Sequence, residues 1–311
     1  MMLRYVMVQN NIPGKRPRIL ITNDDGVGSE GICAAYECVK GLGDIYIVAP
    51  ASQKSGVGRS ISIFDPLRMR ETVTLTGVPA FAVGGTPTDS VALGINLVMR
   101  DESLPKDGLP DLVISGFNIG ENVSTDSITT SGTIGAALEA ASYGIPSVAV
   151  SLMLDYHASK RILEKGTPEY DSVRYAVATV RKIIQHILTS GLPPHTDLLN
   201  INIPQGVTEK TPVTVSRLSR KYFTTKIESR VDPKNDPYYW ISGGVLPEDK
   251  EGTDVNELYR GHITMTPVAL DATVYDDMAV LKKLSEELTG DPEKNRTKRP
   301  GEELTGDPEK N

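Results

Sequence analysis

Only two cysteines, Cys33 and Cys38, occur in the 311 residues. They lie five apart in a helical pattern, where 3.6 residues per turn point them about 140° apart. A bridge between them is not expected, and both read as small buried hydrophobes. So little cysteine fits a reducing, cytoplasmic setting. No apolar run approaches the ~20 residues of a membrane helix, and residues 1–18 have neither the apolar core nor the cleavage site of a signal peptide. Basic residues are not in excess: 33 Lys and Arg stand against 40 Asp and Glu, a net charge of -7. Without a basic face to neutralise a phosphate backbone, a nucleic-acid polymer is not an expected partner, and neither is a membrane. Rings are scarce, with 1 Trp and 4 Phe, so any stacking on a ligand would fall to the 12 Tyr.

Several catalytic signatures are missing as well. There is no Gly-x4-Gly-Lys-[Ser/Thr] loop of a P-loop kinase or ATPase and no Gly-x-Ser-x-Gly elbow of an esterase. Neither cysteine precedes an arginine by five in a loop, as a cysteine phosphatase would require. His157, His186, His195 and His262 do not cluster along the chain and read as surface or packing residues. The Asp-x-Asp spacing of aspartyl-phosphate enzymes is absent too.

What is present begins with Ile21-Thr22-Asn23-Asp24-Asp25-Gly26. It closes an apolar run that reads as a strand and precedes a helical pattern over 29–40. In an open α/β sheet, ligands bind at the C-terminal ends of strands. Two adjacent carboxylates fixed there repel each other unless a cation or proton lies between them, so Asp24 and Asp25 read as a divalent-metal site. Further strands are predicted at 18–22, 44–49, 111–115, 146–151 and 198–203, with helices between them. The clearest helix is 172–190, striped by Val173, Val177, Val180, Ile184, Ile187 and Leu188 and closed by Gly191. The pattern predicts an α/β fold: a Rossmann-like, mostly parallel sheet flanked by helices. Residues 205–275 are richer in β-branched residues, and 211–216, 221–230 and 262–268 suggest hairpins. The aromatic end around Tyr238, Tyr239 and Trp240 suits either core packing or a subunit contact.

Three loops could complete the site. Residues 50–60 are polar and contain Ser55, Gly56 and Gly58. Residues 116–122 hold Asn118 among glycines. Residues 129–135 run into a strong helix former at Ser131-Gly132-Thr133. Each has a plainer role open to it: a turn at Ser55-Gly56, a left-handed turn residue at Asn118, a helix cap at Ser131 or Thr133. A helix start at residues 131–133 is also an anion cradle. Carboxylates, a hydroxyl and an amide oxygen make an all-oxygen set suited to Mg²⁺, Mn²⁺ or Ca²⁺. Cation and cradle together point to hydrolysis of phosphate esters.

Taken in order, Ile21–Gly26, Val48-Ala49-Pro50 with Ser55-Gly56, Gly85-Thr86-Pro87-Thr88-Asp89, Ser115-Gly116-Phe117-Asn118 and Ser131-Gly132-Thr133 resemble the SurE family. Asn200-Ile201-Asn202-Ile203-Pro204, Tyr238-Tyr239-Trp240, Gly252-Thr253-Asp254-Val255 and 261–267 continue the likeness, over roughly 18–275. The resemblance implies a metal-dependent 5′-nucleotidase or acid phosphatase acting on nucleoside monophosphates or other phosphate monoesters. It implies a Mg or Mn ion held by Asp24, Asp25, Ser55 and Asn118, with phosphate bound by Gly56, Ser131, Gly132 and Thr133. Asp24 and Asp25 are then the catalytic candidates, one taking a proton from a metal-activated water. The family also implies a C-terminal β-hairpin excursion exchanged between subunits, hence a homodimer or homotetramer. Phe117 is bulkier than the aliphatic residue expected at its position. Two other readings stay open: a broad-specificity acid phosphatase on non-nucleotide esters, and a non-catalytic metal-dependent nucleotide-binding module.

The expected organisation is an N-terminal extension (1–17), an α/β domain (18–276) whose part 205–275 is β-rich, and a polar tail (277–311). The tail contains Glu-Glu-Leu-Thr-Gly-Asp-Pro-Glu-Lys-Asn twice, at 286–295 and 302–311. So polar and Gly-Pro-broken a segment is expected to lack ordered structure.

Overall fold

The computed structural model describes residues 16–99 and 108–289. In chain order its elements are β1 (Arg18–Thr22), α1 (Glu30–Val39), β2 (Asp44–Pro50), β3 (Met69–Val73), β4 (Pro79–Val83), α2 (Pro87–Leu93) and β5 (Leu112–Ile119). Then follow α3 (Ser124–Thr130), α4 (Gly132–Ser142), β6 (Ser147–Leu152), α5 (Tyr156–Ser159), α6 (Pro168–Ser190) and β7 (Leu198–Ile203). The remainder is β8 (Val213–Val215), β9 (Phe223–Val231), β10 (Pro237–Val245), α7 (Asp254–Tyr259), β11 (Ile263–Val268) and α8 (Met278–Thr289).

Nine strands form one sheet in the order β3-β4-β2-β1-β5-β6-β7-β11-β8, and β9 with β10 forms a separate antiparallel pair. From β4 through β7 every pairing is parallel, whereas β3 and β11 run antiparallel to their neighbours β4 and β7. Successive strand residues face opposite sides, so each buried strand feeds two cores. Ile19, Ile21, Ile114 and Val150 pack with Ile32 of α1 and Val180 and Ile184 of α6. Leu20, Val48 and Val113 pack on the other side with Val91 of α2 and Ala136 and Ala140 of α4. The sheet is thus covered on both faces, which is why its strands read as continuous apolar runs.

The expected α/β class holds, and the strands at 18–22 and 198–203 fall where they were read. Helix α6 begins earlier than 172 because Thr167 caps it, accepting the Tyr170 amide, with Pro168 in the first turn. Strand β5 runs four residues beyond 115. Its register with β6 slips by one residue between Ser115 and Asn118, a bulge that carries Asn118 to the sheet edge. Of the hairpins expected after residue 205, only β9–β10 is one. Strand β8 instead pairs in parallel with β11, and both extend the main sheet. Cys33 and Cys38 are buried and unbridged, as read.

Of the described residues, those up to Leu270 form one unit and those from Asp271 a second. Within the second, the Tyr275 hydroxyl donates to the Asp271 carboxylate and α8 spans Met278–Thr289. A helix here departs from the expectation of a tail without ordered structure. Met278, Leu281, Leu284 and Leu288 recur at three- and four-residue spacing, an amphipathic pattern that starts before the polar repeat and outweighs it locally. The first repeat from residue 290 onward, the whole of the second and the extension before residue 16 lie outside the described residues.

Candidate active site

Strand β1 has β2 on one side and β5 on the other. The chain leaves β1 through α1 toward β2 and later crosses to β5, so strand order reverses between β1 and β5. That is the crevice where open α/β sheets bind ligands. Asp24 and Asp25 follow β1, and Asn118 stands on the adjacent end of β5. The turn is built by Asn23, whose Nδ2 donates to Gly26 O at 3.1 Å and Ser29 Oγ at 2.7 Å while its Oδ1 accepts from Gly26 N at 3.2 Å. Gly26 takes φ of 97°, which a side chain would resist.

The two carboxylates stand in different surroundings. Asp24 is buried, and its Oδ1 accepts from the Thr133 hydroxyl at 2.5 Å. Burial pushes its carboxyl up to about 6, against the pull of that hydrogen bond and with a further push from Asp25. Asp25 is half-buried and also raised, again first by burial. Its Oδ2 accepts from Ile119 N at 3.1 Å and its Oδ1 from Gln53 Nε2 at 3.3 Å. The same Gln53 nitrogen donates to Ser55 Oγ at 3.0 Å. The loop after β2 is therefore tied to the aspartates by a side chain, and also by the backbone, since Lys54 N donates to Asp24 O at 2.7 Å.

Asn118 donates its Nδ2 to Gly120 O at 2.6 Å, which commits the amide nitrogen and leaves Oδ1 as the lone-pair end for a cation. It is a strand residue, not a left-handed turn residue, because its φ is negative. Phe117 is fully buried in the core that includes α1, so its bulk is spent there. Ser131 caps α4 as read, accepting from Ile134 N at 3.2 Å. Thr133 is not a cap; its hydroxyl serves Asp24. The first turn of α4 thus already faces one carboxylate. Gly132 lies against the same aspartate, and a Cβ there would come within 3.0 Å of Asp24 Oδ2. Gly56 lies in an exposed part of the β2 loop, which is fastened to the α3–α4 junction by Gly58 N donating to Thr130 O at 2.8 Å.

The structure therefore gathers Asp24, Asp25, Gln53, Ser55, Gly132 and Thr133 through direct contacts, with Asn118 beside Ile119, a donor to Asp25. Among the described residues no group of three or more His, Cys, Asp or Glu is assembled for a metal. Any cation at this edge must take hydroxyl and amide oxygens beside the paired carboxylates, a donor set that fits a hard divalent ion. Among the histidines, His262 pairs with Glu257 through Nδ1 at 2.8 Å.

The profile of the family described as "Survival protein SurE" matches residues 19–225. The chain belongs to the SurE family. A "5'-nucleotidase SurE" of Methanosarcina mazei is 49% identical over 275 residues, spanning 86% of this chain and 97% of that protein. One of Methanococcoides burtonii is 52% identical over 263 residues, spanning 82% and 94%. Among solved structures, the SurE protein from Aquifex aeolicus superposes with a TM-score of 0.68 at 34% identity, covering 86% of this chain and all of that one.

Sequence reasoning about this SurE site missed three supports. Gln53 gave no signal beyond its place two residues before Ser55. Asn122 is held by Asn202 Oδ1 on its amide at 2.7 Å, and its own Nδ2 donates to Ser151 Oγ at 2.9 Å. Its carbonyl accepts from Asn200 and Asn202. The signal for that network was two asparagines inside a strand otherwise apolar on both faces. Asp89, in the Gly-Thr-Pro-Thr-Asp motif, accepts from Ser62 N at 2.9 Å and Ser62 Oγ at 2.7 Å, fixing the far end of the Ser55 loop.

Proposed function

We propose that this chain is a divalent-metal-dependent 5′-nucleotidase, hydrolysing nucleoside 5′-monophosphates to nucleoside and phosphate. What supports it is that Asp25, next to Asp24 after β1, is tied to Ser55 through Gln53 and to the β5 end beside Asn118 through Ile119, in a chain about half identical to proteins named 5'-nucleotidase SurE. Those four residues would hold the ion, with Mg²⁺ or Mn²⁺ favoured by the oxygen donors. Such an ion supplies Lewis-acid polarisation of a phosphoryl oxygen and acidifies water. The chain's residues do the remainder. Asp24, raised by burial, and Asp25 are the two groups placed to take the proton of the attacking water. Thr133 and Ile119 hold the two carboxylates in orientation by hydrogen bonds. The turn at Ser131 and Gly132, with Thr133 and the facing loop at Gly56, forms the phosphate side. The amide dipoles at the start of α4 favour negative charge there.

The hairpin β9–β10 serves a subunit contact in this reading, forming a homodimer or homotetramer. Tyr239, Trp240 and Ile241 are exposed along one strand of it, an apolar surface of the kind that marks an interface.

The test is phosphate release from a panel of 5′- and 3′-mononucleotides and simple phosphate esters, with Mg²⁺ or Mn²⁺ and with chelator. Preference for 5′-mononucleotides, lost with chelator, is expected. Equal rates on all esters would instead support a broad-specificity phosphatase. Ligand-induced stabilisation without released phosphate would support a binding module.

A further inference from the structure

Gln53 is exposed on the loop after β2, where a long polar side chain would ordinarily be free. Its amide nitrogen nevertheless lies 3.3 Å from Asp25 Oδ1 and 3.0 Å from Ser55 Oγ. One donor group therefore joins two of the four oxygens assigned to the ion. Asp25 is then held at both carboxylate oxygens, by Gln53 on Oδ1 and by Ile119 N on Oδ2. The two holds come from different strand ends, β2 and β5, so they fix the plane of the carboxylate and not merely its position. The neighbouring Lys54 amide is bonded to Asp24 O, which keeps the base of the Gln53 side chain close to the aspartate turn.

Stability is a poor reason for this arrangement. Fixing a long glutamine side chain costs rotamer freedom, and at an exposed position water competes for both of its hydrogen bonds. The arrangement has a chemical use. A carboxylate oxygen and a hydroxyl oxygen each carry two lone pairs, so an amide donor on one leaves the other for a cation. Residues that hydrogen-bond to metal-binding carboxylates orient them and tune their affinity.

We propose that Gln53 is a positioning residue for the divalent-cation site, its side-chain amide setting Asp25 and Ser55 in register with each other before the ion arrives. The proposal rests on the metal-site reading given above. It gives Gln53 no contact with substrate and no step in the chemistry; Gln53 acts only through Asp25 and Ser55.

The experiment titrates Mn²⁺ calorimetrically into the full chain stripped of metal by chelator, for the native protein, Gln53→Ala and Gln53→Met. Methionine keeps about the length and bulk of glutamine while removing its amide, and with it the donor to Asp25 and Ser55. Thermal unfolding of the stripped proteins is measured alongside. Both variants are expected to bind Mn²⁺ about 10-fold or more weakly, with unfolding midpoints unchanged in the absence of metal. Native-like affinity in Gln53→Met, or tighter binding in either variant, would overturn the proposal. So would a drop in the metal-free unfolding midpoint that accounts for the lost affinity, because Gln53 would then be structural. If the native protein takes up no Mn²⁺, the metal-site reading itself fails and this proposal with it. A native site with variants that match it sinks the Gln53 proposal alone.

Discussion

Gly132 and Asp24 are packed so closely that a Cβ on residue 132 would stand 2.9 Å from the Asp24 Cβ and 3.0 Å from its Oδ2. The carbonyl of Lys54 would be 3.1 Å away on the other side. Alanine at 132 must therefore displace either a backbone segment or the carboxylate. Overpacking of this kind costs about 1–3 kcal/mol, and here the movable partner is one of the proposed metal ligands. Gly132→Ala is expected to lose at least about 10-fold in Mn²⁺ affinity by calorimetry, on the scale seen when ligand-orienting contacts are broken. Retained affinity would mean that the helix start yields and Asp24 does not move.

The buried Asp24 carboxyl makes the metal-free protein sensitive to pH. Its folded-state value is about 6 against an ordinary 3.8, so the folded chain binds the proton more tightly than the unfolded one. Stability is then greatest below the ordinary value, falls as pH rises through about 6, and is lowest above it. The full difference is about 3 kcal/mol, taking about 1.4 kcal/mol per unit. Asp24→Asn carries no such cost. In chelator, the unfolding midpoint of the native protein should fall relative to Asp24→Asn between pH 4 and 7. Saturating Mn²⁺ should remove most of that fall, since the ion offsets the buried charge. A difference that stays flat with pH would refute the burial of an ionised Asp24.

The fold was legible because its determinants are local. Runs such as Ile19-Leu20-Ile21 need only be apolar on both faces to announce a covered parallel strand, and the stripe on α6 needs only its own periodicity. The Asp24-Asp25 pair was equally legible, since adjacent carboxylates at a strand end are a local fact. What joins them was not. Gln53 and Ile119 meet Asp25 because the loops after β2 and β5 converge there, and one of the two donors is a backbone amide with no sequence signature. Thr133 was read as a cap or phosphate binder, whereas in three dimensions its hydroxyl reaches a carboxylate 109 residues earlier. The short strand β8 was read into a hairpin because β-branched alternation says nothing about which edge a strand will join.

Asn202 offers a test of how the Asn118 loop is held. Its Oδ1 accepts the Asn122 amide and its Nδ2 reaches the Asn122 carbonyl, 3.1 Å away, and both residues are buried. In Asn202→Leu the Asn122 amide is left without its acceptor, which costs about 1–3 kcal/mol. Urea unfolding should show a loss of that size. Mn²⁺ affinity should fall too, because Asn118 and Ile119 end β5, the strand that leads directly into the loop of Asn122. Lost stability with unaltered affinity would show that the loop is placed by β5 alone.

The exposed strand of the hairpin predicts an association that can be weighed. Ile241 is 80% exposed and Trp240 57%, beyond what a lone hairpin needs for its own packing. Replacing both with aspartate should leave the α/β unit folded, since neither belongs to its core. Sedimentation velocity is expected to show a lower mass for Trp240→Asp/Ile241→Asp than for the native protein. The same mass in both would remove the hairpin from any subunit contact.

Asp89 binds two segments at once. Its carboxylate accepts from Thr86 N at 2.8 Å in the cap of α2, and from the amide and hydroxyl of Ser62. Thr86 in turn donates its hydroxyl to Ser60 O at 2.7 Å. The loop that carries Ser55 and Gly56 is thus fastened at Gly58 on one side and at Ser60 and Ser62 on the other. Asp89→Ala removes the box half of the cap and the Ser62 clamp together. A stability loss of about 0.5–2 kcal/mol follows from the cap alone. The clamp has a separate readout, because Arg59 lies within the fastened stretch. Limited trypsin digestion should cut after Arg59 faster in Asp89→Ala than in the native protein, at a temperature where both are folded. Thr86→Ala should show the same cleavage to a smaller degree, losing only the Ser60 tie and its share of the cap. Equal cleavage rates in all three would show that Gly58 and the Arg59–Glu139 ion pair, at 2.8 Å, hold the loop without Asp89.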